Sequence, residues 1–426
     1  MRKDAATGRD GRGLLGLTHP SIDLGAVRTA DRLWTPGFAV TWLATFVFWN
    51  AVFFHLPLLP LFMKAHGAGE GAIGLVVGGG ALAALTGRLL SGWAVDHLGT
   101  RGFLLAGALA WALTSPLMAG WPGTGGLLAL RLVQGFGLAL FTNASLGVVG
   151  YIAPPSRRGA AVGWWGITNN LANATGPWVA GAVLGGYGYG AAFAAAGAMG
   201  ALAALLGLMM PRAGGTAARG AAALGSARLY TPAALVPGLV GGTLGFAGGA
   251  FVAFAPLRAE ELGLSNVGSY LAAYGMAMIA SRLVFSPLSD VSGRGWAIVP
   301  GLVMATAAMA AIGWSGEGLL AYAPPALFGL GAGAVLPGLL AWTLDRSGPG
   351  ERATATSTFY SVYELGLFSG ATVLGQLLQR GGPTAYWVVA ALLAGGLGLY
   401  LTAAGSRRAA ARSDHAGCRR STGTSP

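Results

Sequence analysis

From Leu33 to Gly405 the chain runs for 373 residues with only 24 charged side chains among them. Soluble domains carry roughly 25% charge, and a single soluble core stops growing at about 250–300 residues. Apolar residues make up 54% of the sequence and Gly fills another 74 positions. A chain this apolar for this long needs lipid as its solvent. A helix needs about 20 mostly apolar residues to cross the hydrocarbon core. Twelve stretches meet that demand: 36–63, 72–95, 102–121, 124–152, 160–184 and 190–210, then 231–257, 267–288, 296–314, 319–344, 353–378 and 385–404. The expected fold class is an all-α membrane protein of twelve transmembrane helices.

The charges that remain set the expected orientation. The N-terminal stretch, the loops after spans two, four, six, eight and ten, and the C-terminal stretch together hold 20 Lys and Arg. The loops on the opposite side hold three: Lys64, Arg258 and Arg380. Positively charged loops stay cytoplasmic, so both termini are expected in the cytoplasm, with the protein in the inner membrane and its net charge of +12 facing anionic lipid rather than nucleic acid. The stretches 1–33 and 406–426 read as polar, disordered tails, and no apolar run of signal-peptide length precedes span one. The single Cys, Cys418, leaves no internal disulfide and no multi-cysteine metal site.

The two sets of spans repeat. Positions 194 apart pair Lys64 with Arg258, Arg88 with Arg282, Asp96 with Asp290 and Arg158 with Arg352. Charge is scarce, so these coincidences are informative. They divide the chain into a tail (1–35), an N-terminal six-helix half (36–210), a linker (211–230), a C-terminal six-helix half (231–405) and a basic tail (406–426). Two six-span halves in parallel repeat are a transporter arrangement.

Three motifs fall in register with this plan. After span two the sequence reads Gly92-Trp-Ala-Val-Asp96-His-Leu-Gly99-Thr-Arg101. This resembles the G-x-x-x-D-x-x-G-x-R signature of the major facilitator superfamily. Span four contains Arg131-Leu-Val-Gln134-Gly135-Phe-Gly137, similar to that family's R-x-x-Q-G-x-G. Span five contains Gly176-Pro177-Trp-Val-Ala-Gly181, which resembles the antiporter signature G-x-x-x-G-P-x-x-G-G, with Ala172 and Ala180 in place of two of its glycines. The resemblance covers residues 36–405 and leans toward the exporter branches for drugs, sugars or metabolites. It implies that Asp96, Gly99 and Arg101, with their counterparts Asp290 and Gly293, gate the cytoplasmic side through a contact with the start of span eleven. A solvated turn with incidental charges is the plainer reading of the same residues. Gly176 and Pro177 are expected to pack helices.

The charged residues inside spans are the other candidates. Arg88 and Arg282 lie about 12 Å deeper than the Asp residues that follow them. Charge at that depth faces a cavity or a partner, or snorkels to the surface. Arg131 near the outer end of span four either snorkels outward or, as the resemblance implies, couples to proton movement. Glu364 is the acidic residue nearest the middle of a span, about 16 Å from the cytoplasmic end of span eleven. Isolated in lipid it would be neutral and beside an Arg it would be ionised, which makes it a switchable proton site or a structural buried carboxyl. Its repeat counterpart is Asn170, beside Asn169 and near Asn173. These amides line a polar cavity or bond neighbouring helices. The resemblance places spans two and eleven side by side, so Arg88 and Glu364 are expected to pair across the seam. Three intramembrane Arg against one Glu favour anionic or zwitterionic substrates.

Other classes fail on chemistry. Gly313-Trp-Ser315-Gly316 imitates a rhomboid serine site, but the only His after it is His415 in the polar tail, and no G-x-x-x-x-G-K-[ST] phosphate loop exists. The chain is expected to be a monomeric, cofactor-free secondary transporter that exports a small molecule against protons by alternating access. A uniporter, a symporter importing an anionic metabolite, and a non-transporting sensor on the same fold are the alternatives.

Overall fold

The computed structural model describes residues 32–212, 230–314, 316, 318–348 and 351–421; the side chains of 91–98, 286, 287, 290, 353 and 405–421 lie outside that description. Helices dominate, and no strand occurs among the described residues. They are α1 (Pro36–Ala65), α2 (Glu70–Leu98), α3 (Thr100–Ala119), α4 (Thr124–Ile152), and a long helix, Arg158–Met209, that breaks at Gly188 into α5 (158–187) and α6 (189–209). Then follow α7 (Leu235–Glu261), α8 (Gly268–Ser292), α9 (Gly295–Ile312), α10 (Ala323–Asp345), α11 (Arg352–Gly381) and α12 (Tyr386–Ser421). Length and composition alone mark nine runs among the described residues as able to cross a membrane. Two of these, Pro155–Met209 and Thr354–Ala404, are 55 and 51 residues long and each holds two helices. α8, which carries Arg282, is not among the nine.

Local signals start and stop these helices. Thr35 caps α1 by accepting the Phe38 N–H at 3.2 Å, with Pro36 in the first turn. The turn between α5 and α6 needs φ +78° at Gly188, and the turn after α11 needs φ +63° at Gly382. Both are conformations that only Gly adopts freely, and the two residues stand 194 positions apart. Gly99 and Gly293, also 194 apart, break the chain at φ +86° and +94°.

The repeat is written into the packing as well. Membrane helices approach closely where residues are small. Gly107 lies on the carbonyl of Gly137, and Gly301 on that of Gly331; Gly135 lies on Gly80, and Gly329 on Tyr274. Each second pair is the first displaced by 194. The same relation holds where the two sets of helices meet. Gly74 of α2 rests on the Ala371 carbonyl of α11, and Gly268 of α8 rests on the Pro177 carbonyl of α5. The α2–α11 and α5–α8 seams therefore form a matched pair. At the end of the bundle away from the termini, Lys64 and Glu260 approach to 3.5 Å, and the Asn266 amide donates to the Trp178 carbonyl at 3.1 Å.

Two ends differ from the sequence reading. α12 does not stop at 404 but continues as helix to Ser421; its Ala- and Arg-rich continuation is a good helix former. Leu33 is not tail: it is buried with Phe38, Val149, Ala153 and Ala161, while Trp34 stands edge-on to Phe38 and Trp164. The linker 213–229 and the stretches 1–31 and 422–426 lie outside the described residues.

Candidate functional site at the helix seam

α2 and α11 run side by side, and each brings one charged side chain to the seam. Arg88 Nε lies 2.9 Å from Glu364 Oε1. The Glu364 side chain is 7% exposed and that of Arg88 35%. The contact is an ion pair rather than an aligned hydrogen bond, since neither Arg88 Nε nor Glu364 Oε2 has a hydrogen-bond partner. Glu364 therefore holds one oxygen toward a cation and keeps the other buried and unsatisfied, an arrangement that costs about 1–3 kcal/mol until a donor arrives. On the terminal side of the pair lies a cavity of about 290 Å³, lined by Leu85, Arg88, Asn143, Ser357, Tyr360 and Glu364. Tyr360, one helical turn before Glu364, is within electrostatic reach of Arg88, Arg282 and Glu364 together.

The second seam is built on the same plan with one partner changed. α8 brings Arg282, the repeat counterpart of Arg88, and α5 brings Asn170 where α11 has Glu364. Arg282 Nε is buried without a partner, and no ion pair or hydrogen bond engages the guanidinium among the described residues. Its electrostatic neighbours are Tyr274, Tyr360 and Tyr363. Asn170 and Asn173 are buried, and the Oδ1 of each is unpartnered. Asn169, beside them, is half-buried. Gly176 packs on Phe53 of α1 while the Pro177 carbonyl meets Gly268, so the Gly–Pro step wedges α5 between α1 and α8.

Arg131 stands apart from both seams. It neither snorkels outward nor faces the cavity. Its Nη1 donates to Gln134 Oε1 at 3.2 Å, its guanidinium lies 5.8 Å from the Trp111 ring centroid, and Gly80 presses against it. Gln134 is fully buried and contacts His55 Nε2 at 3.3 Å. His55 Nδ1 lies 3.0 Å from the Ala51 carbonyl. The proton thus sits on Nδ1, and the Gln134 amide donates to the free Nε2. This network ties α1, α3 and α4 to one another. The intramembrane charge facing the seams is accordingly two Arg and one Glu, not three Arg and one Glu.

The loop signature is described only in part. The side chains of Asp96 and Asp290 lie outside the described residues, as does that of Ala353 at the start of α11. Gly99 and Gly293 supply the left-handed turns. Arg101 Nη2 donates to the Leu208 carbonyl at 2.8 Å, fastening the start of α3 to the end of α6. From sequence Tyr360 and Tyr363 are candidates only for stacking on a substrate or for helix packing; the i, i+4 spacing of Tyr360 to Glu364 was the signal that places it beside the ion pair. Ser357 and Asn143 also line the cavity; as uncharged polar residues they carry no comparable signal in the sequence.

The sequence profile of the Major Facilitator Superfamily matches residues 41–371. An MFS-type transporter of Methanocaldococcus jannaschii is 29% identical over 170 residues, covering 40% of this chain and 44% of that one. A multidrug resistance protein B homolog of Mycobacterium tuberculosis is 29% identical over 128 residues, 30% of this chain and 24% of the relative. The matched part is thus less than half the length of these relatives. Among solved structures, a bacterial homolog of the human lysosomal transporter Spinster superposes with a TM-score of 0.70 at 15% identity, over 87% of this chain and 96% of that one. The nucleoside transporter NupG gives 0.68 at 14%, over 86% and 99%. Likeness at these identities is likeness of fold. The profile spans most of the chain, the helices take the same architecture, and the repeated seams lie where two such halves meet: the chain belongs to the Major Facilitator Superfamily.

Proposed function

We propose that the chain is a proton-coupled secondary transporter that moves a small molecule across the cytoplasmic membrane by alternating access, as a monomer with both termini in the cytoplasm. The halves 36–210 and 231–405 rock about the α2–α11 and α5–α8 seams, with 211–230 joining them. The observation that carries the reading is the Arg88–Glu364 contact at 2.9 Å, since it joins the two halves through the only acidic residue at that depth. With the seam closed, Arg88 compensates the carboxylate. Parting the helices strands Glu364 in an apolar site, where a proton is the remaining way to neutralise it. Proton binding and seam opening then favour each other, as linkage requires. Asp96, Gly99 and Arg101, with Asp290 and Gly293, serve as the gate at the cytoplasmic ends of α2 and α8.

Export against protons is supported by the Gly176–Pro177 signature and by the relative named for multidrug resistance. A second reading, import of an anion together with a proton, is favoured by a different observation, the Arg282 Nε, which has no hydrogen-bond partner among the described residues. The test is reconstitution in proteoliposomes with an imposed pH gradient. Wild-type protein is expected to acidify or alkalinise the lumen only when substrate is present. Glu364→Gln should abolish gradient-driven accumulation while substrate exchange between the two sides persists. Gradient-driven accumulation by Glu364→Gln at the wild-type rate would end the coupling role of Glu364.

A further inference from the structure

The repeat supplies an internal control for the polar residues around Glu364. α11 gives Ser357, Tyr360, Ser361 and Glu364 to the lining of the 290 Å³ cavity, α4 gives Asn143 and α2 gives Arg88. Shifted by 194 positions, the two serines become Gly163 and Ile167, Asn143 becomes Pro337 and Glu364 becomes Asn170, while Arg88 stays an arginine, Arg282. The seam without the carboxylate thus also lacks the hydroxyls, although it keeps the cation. The serines differ from their neighbours in a second respect. A hydroxyl inside a helix commonly bonds back to a carbonyl of the preceding turn. Thr356, Thr358, Ser369 and Thr372 of α11 do so at 2.8–3.1 Å. Ser357 and Ser361 do not, and neither hydroxyl has a partner among the described residues.

We infer that Ser357 and Ser361 position a file of water that carries protons from the terminal side of the bundle to Glu364 while α2 and α11 remain in contact. This rests on the reading of Glu364 as the coupling carboxylate. Ser357, Ser361 and Glu364 stand at i, i+4 and i+7, on one face of α11, and climb about 10 Å along it. Exposure falls along the same line: Ser357 is exposed, Ser361 half-buried, and the Glu364 side chain 7% exposed. A water takes about 30 Å³ and needs two to four polar partners, so the cavity has room for several and the serines, Tyr360 and Asn143 offer the partners. A hydronium in the cavity passes its proton to the next water, or to a serine hydroxyl that releases its own proton onward. The last O–H bond forms at Glu364 Oε2, the oxygen without a hydrogen-bond partner, and the carboxylate becomes neutral. The serines end as they began; they are positioning residues.

The groups around this line leave the proton one destination. Arg88 is the charged group that meets Glu364 from α2. Tyr360 is the other titratable residue of the lining, whereas Tyr363 lies against Gly245 and Gly248 of α7. α7 carries charge only at its far end, at Arg258, Glu260 and Glu261, and α10 only at Asp345. α12 has none before Arg407, and the one charged residue of α4, Arg131, is held by Gln134. The lining holds no carboxylate besides Glu364, so no second acid intercepts a proton between Ser357 and Glu364.

The test follows the proton itself and needs no substrate. The purified full chain in lipid nanodiscs is taken through a rapid drop in pH while the carboxyl C=O stretch is recorded by infrared difference spectroscopy; the band missing from Glu364→Gln belongs to Glu364. Ser357→Ala and Ser361→Ala should each slow the rise of that band about tenfold and leave its final amplitude at each pH unchanged, because a path alters rate and not affinity. Ser357→Thr and Ser361→Thr should keep the hydroxyl and restore the rate, and Ser357→Leu should slow it most. A merely structural role would shift the amplitude instead. In a Cys418→Ser background, which removes the one native thiol, Ser357→Cys should react with a membrane-impermeant thiol reagent faster than Ser361→Cys, and both only from the face that bears the termini. Unchanged rates in both alanine variants, labelling from the opposite face alone, or a wild type in which the Glu364 band never appears would each overturn the path. Proton arrival that the alanine variants slow, together with gradient-driven accumulation by Glu364→Gln, would instead remove the coupling role and leave the path standing.

Discussion

Glu364 is 7% exposed and lies 2.9 Å from the Arg88 guanidinium. Truncating Arg88 removes that cation and leaves a buried charge unpaired. For Arg88→Ala we expect a loss of about 3 kcal/mol, at the low end of the range for broken buried pairs because Arg88 itself is 35% exposed. Replacing both residues, as Arg88→Ala with Glu364→Gln, should recover most of the loss. The double-mutant cycle is measured by reversible unfolding in detergent, and additive losses would mean that the two side chains do not interact. This pair was legible because charge is so rare inside the spans, helical rise fixes depth within a few ångströms, and the family resemblance implies that spans two and eleven lie side by side. The placement of Arg131 was not legible. Depth says nothing about which face of α4 looks toward a seam, and although Gln134 is one turn along the same motif, His55 and Trp111 reach it from α1 and α3.

Among the helices, the seams depend on positions where a side chain of any size would strike backbone. Gly268 at the start of α8 meets the Pro177 carbonyl, and its repeat counterpart Gly74 meets that of Ala371. Backbone cannot move aside as a flexible side chain does, so overpacking here should cost about 1–3 kcal/mol. Gly268→Leu is expected to pry α5 from α8 at the end away from the termini, and thiol-reactive probes on engineered cysteines there should react faster. Gly190→Leu, where nothing lies within 4 Å, is the matched control. Equal reactivity in the two variants would show that the seam tolerates the side chain. The sequence revealed these glycines only as members of a set of 74. Composition hides which of so many do the packing, and the charged residues, not the glycines, exposed the repeat. The turns at Gly188 and Gly382 escaped notice for the same reason, although they too are 194 residues apart.

At the scale of the whole molecule the open question is which way the bundle sits in the membrane, and there the argument is electrostatic. Consecutive spans must cross the membrane in opposite directions, so the loops fall into two groups. The group containing both termini holds 20 Lys and Arg and the other three. Loops rich in Lys and Arg are retained in the cytoplasm, and each such residue near an anionic leaflet contributes about 1 kcal/mol. No single substitution should therefore invert the protein. Reporter fusions at Gly214 and His415 are expected to read cytoplasmic, and one inserted at the Gly188 turn to read external. Because the halves repeat in parallel, the turn at Gly382 should match Gly188. An external signal at Gly214 with a cytoplasmic one at Gly188 would reverse the membrane orientation of both seams. The cavity beside Glu364 would then open toward the outside, and the pH gradient would act on the Arg88–Glu364 pair from the opposite face.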